Sequence, residues 1–239
     1  MTSETDFLKT YKAEDYPIVL VTVDTVLLTY HESELKVLLV KRANHPEKGK
    51  WGLPGGFLEQ DQDKSLEYAA KRSVIAKTGV TPPYIEQLHT LGSKNRDPRG
   101  WSTSIVFSAL MPYAASGDFI NTVEGVAWVA LNGLDELDLA FDHSDSIRIA
   151  VERYRQKALY SFIPVFALTQ PFTVTDLRKV HEALIGHDIQ RKSFIRRVEA
   201  SGMLKDTGES RTERGRPATL YKTAKGIEGY RFVRNIESE

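Results

Sequence analysis

Residues 55–80 read GGFLEQDQDKSLEYAAKRSVIAKTGV. Leu66, Ala69, Ala70, Ser73 and Val74 recur there at helical spacing and share one face. Ser65 is suited to cap the start of this run and Gly79 to end it, which predicts a helix over 65–77. The glycine pair Gly55-Gly56 ahead of the helix lets backbone come close to another group. The stretch is therefore a loop–helix–loop. Upstream, β-branched runs predict strands over 16–24, 25–30 and 36–42, with a polar turn at 31–34. Downstream, strands are expected at 84–91, 101–112 and 125–130, and a long helix at 146–160.

The loop–helix–loop resembles the Nudix box, G-x5-E-x7-R-E-U-x-E-E-x-G-U with U aliphatic. Anchored at Arg72, the pattern finds Gly56, Arg72, Val74, Gly79 and Val80 in place, with two extra residues between Gly56 and Arg72. The acids are missing. Ser73 follows the arginine, Ala76-Lys77 replaces the Glu-Glu pair, and Lys64 stands where the first Glu belongs. Nudix hydrolases hold Mg²⁺ on those carboxylates, and the metal clamps a diphosphate and activates water. This box would offer a metal a methyl group and a cation. The expectation is a pocket with no catalytic residues and no metal. The alternative ligands are Glu59, Asp61, Asp63 and Glu67, which lie nearby.

After residue 160 the pattern changes to short helices at 162–168, 176–184 and 189–200, then strands at 204–207 and 218–223 around a polar tip at 208–217. Thr173 and Asp176 fit a capping box, Asp188 an N-cap, and Gly186 and Gly202 helix ends. Three helices and a hairpin make a winged helix-turn-helix. The expected class is α/β: a Nudix α/β/α sandwich (1–158, ligand-sensing) followed by a C-terminal winged helix-turn-helix domain (159–239, DNA-binding).

The net charge of zero hides an asymmetry: residues 151–239 carry 17 Lys+Arg against 11 Asp+Glu, the rest 15 against 21. A basic half suits a polyanion partner, with a solvated surface as the alternative. The chain lacks cysteine, which excludes disulfides and thiolate metal sites and fits a reducing, cytoplasmic location. It also lacks an apolar run of membrane length, and its polar N-terminus is unlike a secretory signal.

Candidate contacts follow from residue chemistry. Arginine donates two parallel hydrogen bonds to a diphosphate, so Arg42, Arg96 and Arg99 are candidate phosphate or ribose contacts. For Arg96 and Arg99 a salt-bridged solvent loop is the alternative. Gly55 and Gly56 allow close backbone approach to an anion. Trp51 and Trp101 suit stacking on adenine, or else core packing. His143 is read as a helix-entry residue without a catalytic role. In the third C-terminal helix, Gln190, Arg191, Lys192 and Ser193 sit where base edges are reached, and Arg196 and Arg197 where phosphates are gripped. Arg211, Arg214, Gly215 and Arg216 form the wing tip, a candidate for minor-groove insertion. RNA binding, protein contact or a solvated hairpin are the other readings of the wing.

The order of domains, with Arg96-Asp-Pro-Arg-Gly-Trp101 and Leu139-Ala-Phe-Asp-His143, resembles the NrtR family, the Nudix-related transcriptional regulators of NAD metabolism. The resemblance spans roughly 14–225. It implies a homodimeric repressor of NAD-synthesis or salvage genes that binds a palindromic double-stranded DNA operator and is released by ADP-ribose, with no cofactor. An active Mg²⁺-dependent ADP-ribose pyrophosphatase with a basic accessory domain is the rival reading.

Overall fold

The computed structural model describes residues 3–212 and 217–236. A short helix, α1 (Glu4–Thr10), comes first and is an addition to the expected elements; Ser3 caps it by accepting the Asp6 N–H. Then come β1 (Leu20–His31), β2 (Glu34–Lys41), β3 (Trp51–Gly52), β4 (Gly55–Phe57), α2 (Leu66–Thr78), β5 (Tyr84–Ser93), β6 (Ser102–Leu110), α3 (Gly117–Ile120), β7 (Val126–Ala130) and α4 (His143–Tyr160). The strands form one mixed seven-stranded sheet. β1 runs parallel to β6, and β5 pairs antiparallel beyond it. The other edge of β1 is shared by β4 near its start and β2 near its end, with β7 beyond β2.

β1 starts at Leu20, not at residue 16. Its first ladder bond runs from the Leu20 N–H to the Trp101 carbonyl at 3.1 Å. Pro17 has no N–H to donate, and Tyr16 to Val19 stay exposed. The polar turn is confirmed: Glu32 and Ser33 take φ of 54° and 67°, the geometry that a two-residue hairpin loop demands.

Side chains alternate across β1, so Val26 and Leu28 face one core and Leu27 the other. Ala69, Ala70 and Val74 of α2 cover one face of the sheet. Ile147, Ala150, Tyr154 and Ala158 of α4 cover the other. Each buried Leu contributes roughly 1.5–3 kcal/mol relative to exposure. This is the expected α/β/α sandwich.

The winged helix contains α5 (Val174–Ile185), α6 (Arg191–Ser201), β8 (Leu204–Arg211) and β9 (Ala218–Thr223). The expected helix at 162–168 is a 3₁₀ turn, Ile163–Ala167, too short for an i→i+4 ladder. The Thr173–Asp176 capping box is present. α6 starts two residues later than expected, with Gln190 and not Asp188 at its cap. The reason is Glu182, whose carboxylate accepts the Ile189 N–H at 2.8 Å and holds the turn ahead of the helix. β8 runs on into the expected tip, past an irregularity between Asp206 and Ser210 where Gly208 adopts φ 76°.

One hydrophobic core joins the sheet to the winged helix. It runs from Val26, Leu28, Val37 and Leu39 through α4 to Phe172, Leu177, Leu184, Phe194 and Val198. The expected division at 158/159 falls within α4, which begins at His143 rather than 146 and continues to Tyr160.

Candidate functional site

Arg72 organises the loop–helix–loop. Its guanidinium donates to Asp63 at 2.7 and 2.8 Å and to Glu59 at 2.5 Å, while Asp63 also accepts the Glu59 N–H. Two of the four alternative metal ligands are thereby tied to an arginine, and a third, Glu67, pairs with Lys71. The Ser73 hydroxyl turns back to its own helix, donating to the Ala70 carbonyl at 2.9 Å. Among the described residues no three His, Asp or Glu side chains cluster as metal ligands do.

Gly55 lies against β1 so tightly that a Cβ would meet Asp24 Oδ1 at 2.2 Å and the Val23 carbonyl at 2.5 Å. Asp24 is buried mid-strand and accepts from Ser104 Oγ at 2.5 Å. A Cβ on Gly52 would press on the His143 ring at 3.0 Å. His143 Nδ1 accepts the Leu53 N–H at 3.0 Å, so a neutral ring carries its proton on Nε2. Burial lowers the pKa of His143, although Asp24 and Asp142 pull it upward. Gly56 has open space where a Cβ would stand.

The loop at 96–101 holds the candidate arginines in two different ways. Arg96 makes a two-pronged bond to Asp142, Nε to Oδ2 at 2.9 Å and Nη2 to Oδ1 at 2.8 Å, and reaches Ser102 Oγ at 3.2 Å. Its side chain is only 8% exposed. Asp142 occupies the N-cap position of α4 but makes no side-chain cap bond. Arg99 grips Asp97, whose carboxyl it holds below the usual range, and stacks over Phe57 at 4.8 Å. Trp101 is half exposed and lies 3.3 Å from where a Gly92 Cβ would be. Gly55, Gly56, Arg99 and Trp101 thus gather at one end of the sheet, where Leu20 pairs with Ser102 and Thr22 with Phe57.

Arg42 and Trp51 form a second group. Arg42 stacks over Phe141 at 4.7 Å and donates to the Pro46 carbonyl at 3.0 Å. Trp51 exchanges backbone bonds with the 138–140 segment. The Arg96–Asp142 pair connects the two groups. Asp24, Ser104 and Asp142 are additions that sequence reading missed. Asp24 reads as a strand boundary, yet an acid within a β-branched run was the available signal.

On the basic half, α6 turns Phe194 and Val198 inward and leaves Gln190, Arg191, Lys192 and Arg196 exposed. Gln190 Oε1 accepts the Ser193 N–H at 2.6 Å, which fixes the first turn. Arg197, the other expected phosphate contact, is also engaged within the chain. Its guanidinium donates to the Arg234 and Asn235 carbonyls and lies 5.3 Å from the Phe232 ring centroid, clamping the C-terminal segment. That segment is bonded to the end of α4, Phe232 N–H to the Tyr160 carbonyl and Ile236 N–H to the Leu159 carbonyl. Arg211 donates to both oxygens of Asp176, joining the base of the wing to the start of α5. Arg214, Gly215 and Arg216 lie outside the described residues.

His181 is fully buried beneath α6, its ring edge-on to Phe194 at 5.1 Å. Burial pushes its pKa down to about 4, although the Leu177 and Ser161 carbonyls facing its two nitrogens favour the charged ring. His143 and His89 shift the same way. Their contribution to stability is complete above the unfolded pKa of about 6.5 and is lost as pH falls. For His181 that loss reaches about 3 kcal/mol near pH 4. Urea midpoints should therefore fall steadily from pH 6.5 to 4.5, before carboxylates such as Asp97 contribute. A flat profile across that window would contradict the burial argument.

Models of known families match both halves: the NUDIX domain over 20–148 and the NrtR DNA-binding winged helix domain over 164–223. The chain is 38% identical over 235 residues to the ADPR responsive transcriptional repressor NtrR of Acinetobacter baylyi, covering 98% of this chain and 94% of that protein. The crystal structure of Shewanella oneidensis NrtR complexed with a 27mer DNA is 53% identical with a TM-score of 0.89, over 91% of this chain and 99% of that one. The NUDIX domain of that Shewanella protein, crystallised with ADP ribose, is 47% identical with a TM-score of 0.60, over 64% and 99% of the two chains.

Proposed function

Because the chain belongs to the NrtR family, we propose that it is a transcriptional repressor of NAD-synthesis or salvage genes that leaves its operator when ADP-ribose occupies the Nudix domain. The observation that carries this reading is the shared core, which packs a Nudix sheet directly against a winged helix whose α6 exposes Arg191, Lys192 and Arg196. Residues 1–158 act as the ligand-sensing part and 159–239 as the DNA-binding part. No helix among the described residues is long and apolar enough to cross a membrane. The protein works in the cytoplasm, beside the genes it controls.

Arg42, Trp51, Gly55, Gly56, Arg99 and Trp101 contact ADP-ribose, and Arg96 orients the site through Asp142. Gln190, Arg191, Lys192 and Ser193 face bases, Arg196 faces phosphate, and Arg211 with Arg214, Gly215 and Arg216 forms the wing contact. Two copies place their α6 helices one DNA turn apart, ~34 Å, on a palindrome. Release requires that ADP-ribose bind the DNA-free arrangement better; ten-fold in DNA affinity corresponds to about 1.4 kcal/mol. The ligand is held and not cleaved, since Ser73, Ala76 and Lys77 stand where metal-binding glutamates would be and Arg72 occupies Glu59 and Asp63.

Two assays test this together. In gel shift, ADP-ribose should release operator DNA with or without Mg²⁺. In titration calorimetry, ADP-ribose should give a plain binding isotherm with no AMP formed. DNA binding that ADP-ribose leaves unchanged or tightens would refute the inducer role, and Mg²⁺-dependent AMP release at enzymatic rates would restore the pyrophosphatase.

A further inference from the structure

The chain after the wing returns to the core and is pinned there. Arg231 pairs with Ser161 in a single antiparallel bridge, the Phe232 N–H donates to the Tyr160 carbonyl at 2.7 Å, and the Ile236 N–H donates to the Leu159 carbonyl at 2.6 Å. Phe232 and Ile236 are buried, and the Phe232 ring meets Phe162 edge-on at 4.7 Å. Between these two anchors Val233, Arg234 and Asn235 face solvent, Val233 to 97%. Three exposed residues are thus held in place without contributing to the core.

α6 runs alongside them. Its Ser193, Arg196, Arg197 and Ala200 form one wall of a groove of about 410 Å³, and residues 232–234 form the other. At about 100° per residue, Arg196 stands opposite the buried Phe194 and Val198, Ser193 and Ala200 lie on its groove side, and Lys192 and Glu199 lie on the other. The outward face of α6 is therefore continuous with the groove, and the acid of the helix is turned away from it. Among the described residues no acidic side chain lines the groove, and neither Arg196 nor Arg234 is engaged in a side-chain hydrogen bond or ion pair. Arg197 covers the Arg234 and Asn235 carbonyls, two oxygens that would otherwise repel an anion. A helix about 10–12 Å across fills a DNA major groove roughly 12 Å wide, so cations beside the helix arrive at the phosphate row that borders it.

We propose that residues 230–236 are a further DNA-binding element, in which Arg234 joins Arg196 on the phosphate row beside α6 and Arg197 is the positioning residue that holds the segment there. The proposal rests on the DNA-binding reading above and carries the contact surface past the winged helix domain, whose match ends at residue 223. It is tested on the full chain by fluorescence anisotropy, with an operator duplex and a scrambled duplex over a salt series. Arg234→Gln should weaken both duplexes by a similar factor, at least about five-fold at ~0.1 M salt, and lower the salt slope by about two for a dimer. Arg234→Lys should recover most of the affinity, because a phosphate contact needs the charge more than the fork. Neither variant should move the melting curve, since Arg234 is exposed.

Arg234→Gln that binds both duplexes like the wild type, while Arg191→Ala loses the operator, overturns the C-terminal contact and leaves the α6 reading standing. A wild-type chain that binds neither duplex overturns both. A loss confined to the operator with an unchanged salt slope overturns the phosphate assignment in favour of a base. A loss that comes with a lowered melting temperature overturns the contact as well, since the segment would then be acting on the fold.

Discussion

Asp142→Ala should lower the unfolding free energy by about 2–3 kcal/mol, less than the ~3–5 kcal/mol of stranding a fully buried charge because the Arg96–Asp142 pair is only partly buried. Arg96 is left with only Ser102 Oγ when the two-pronged carboxylate goes. The loss is not a capping effect, because the Asp142 side chain makes no cap bond. Urea unfolding measures it. The paired replacement Arg96→Met with Asp142→Leu should recover most of the loss, since a buried ion pair is often no better than apolar groups of similar size. A drop under about 1 kcal/mol for Asp142→Ala would mean that water reaches the guanidinium and that the pair behaves like a surface one.

Arg191→Ala should reduce operator affinity by about 30-fold to 10⁴-fold. A base contact is worth about 1–3 kcal/mol, and a two-fold dimer loses it twice, about 2–6 kcal/mol in all. Arg191 is exposed in the first turn of α6, and no part of the core depends on it. Stability and ADP-ribose binding should therefore stay at wild-type levels. The salt dependence assigns the contact. A slope lowered by about two marks phosphate contact, and an unchanged slope with relaxed sequence preference marks a base. Equal binding by Arg191→Ala and wild type would remove α6 from the groove.

Local signals in the sequence carried the fold well. Ser65 and Gly79 bracket α2, Thr173 and Asp176 start α5, and the β-branched run read as a strand lies in β1, which is buried on both faces. Each of these depends on neighbours within a few residues. The site was less legible because its partners are distant in the chain. Arg96 meets a carboxylate 46 residues away, and Arg197 a carbonyl 37 residues away. Nothing in the spacing of Arg196-Arg197 separates an exposed side chain from a clamp; only the return of the C-terminal segment does. Asp24 was passed over because a polar residue after an apolar run resembles a strand end, although the β-branched run continues beyond it from Thr25.

α4 touches both ends of this arrangement. Asp142 and His143 at its start are bonded to the glycine-rich and arginine loops, and Tyr160 at its end receives the segment that Arg197 ties to α6. Eighteen residues make a rod of about 27 Å at 1.5 Å per residue. A tilt of about 5° at the near end of such a rod moves the far end by about 2 Å, enough to take a side chain out of hydrogen-bond reach of a base edge. On the proposed reading, α4 is the lever through which a rearrangement around a bound nucleotide would reach the double helix.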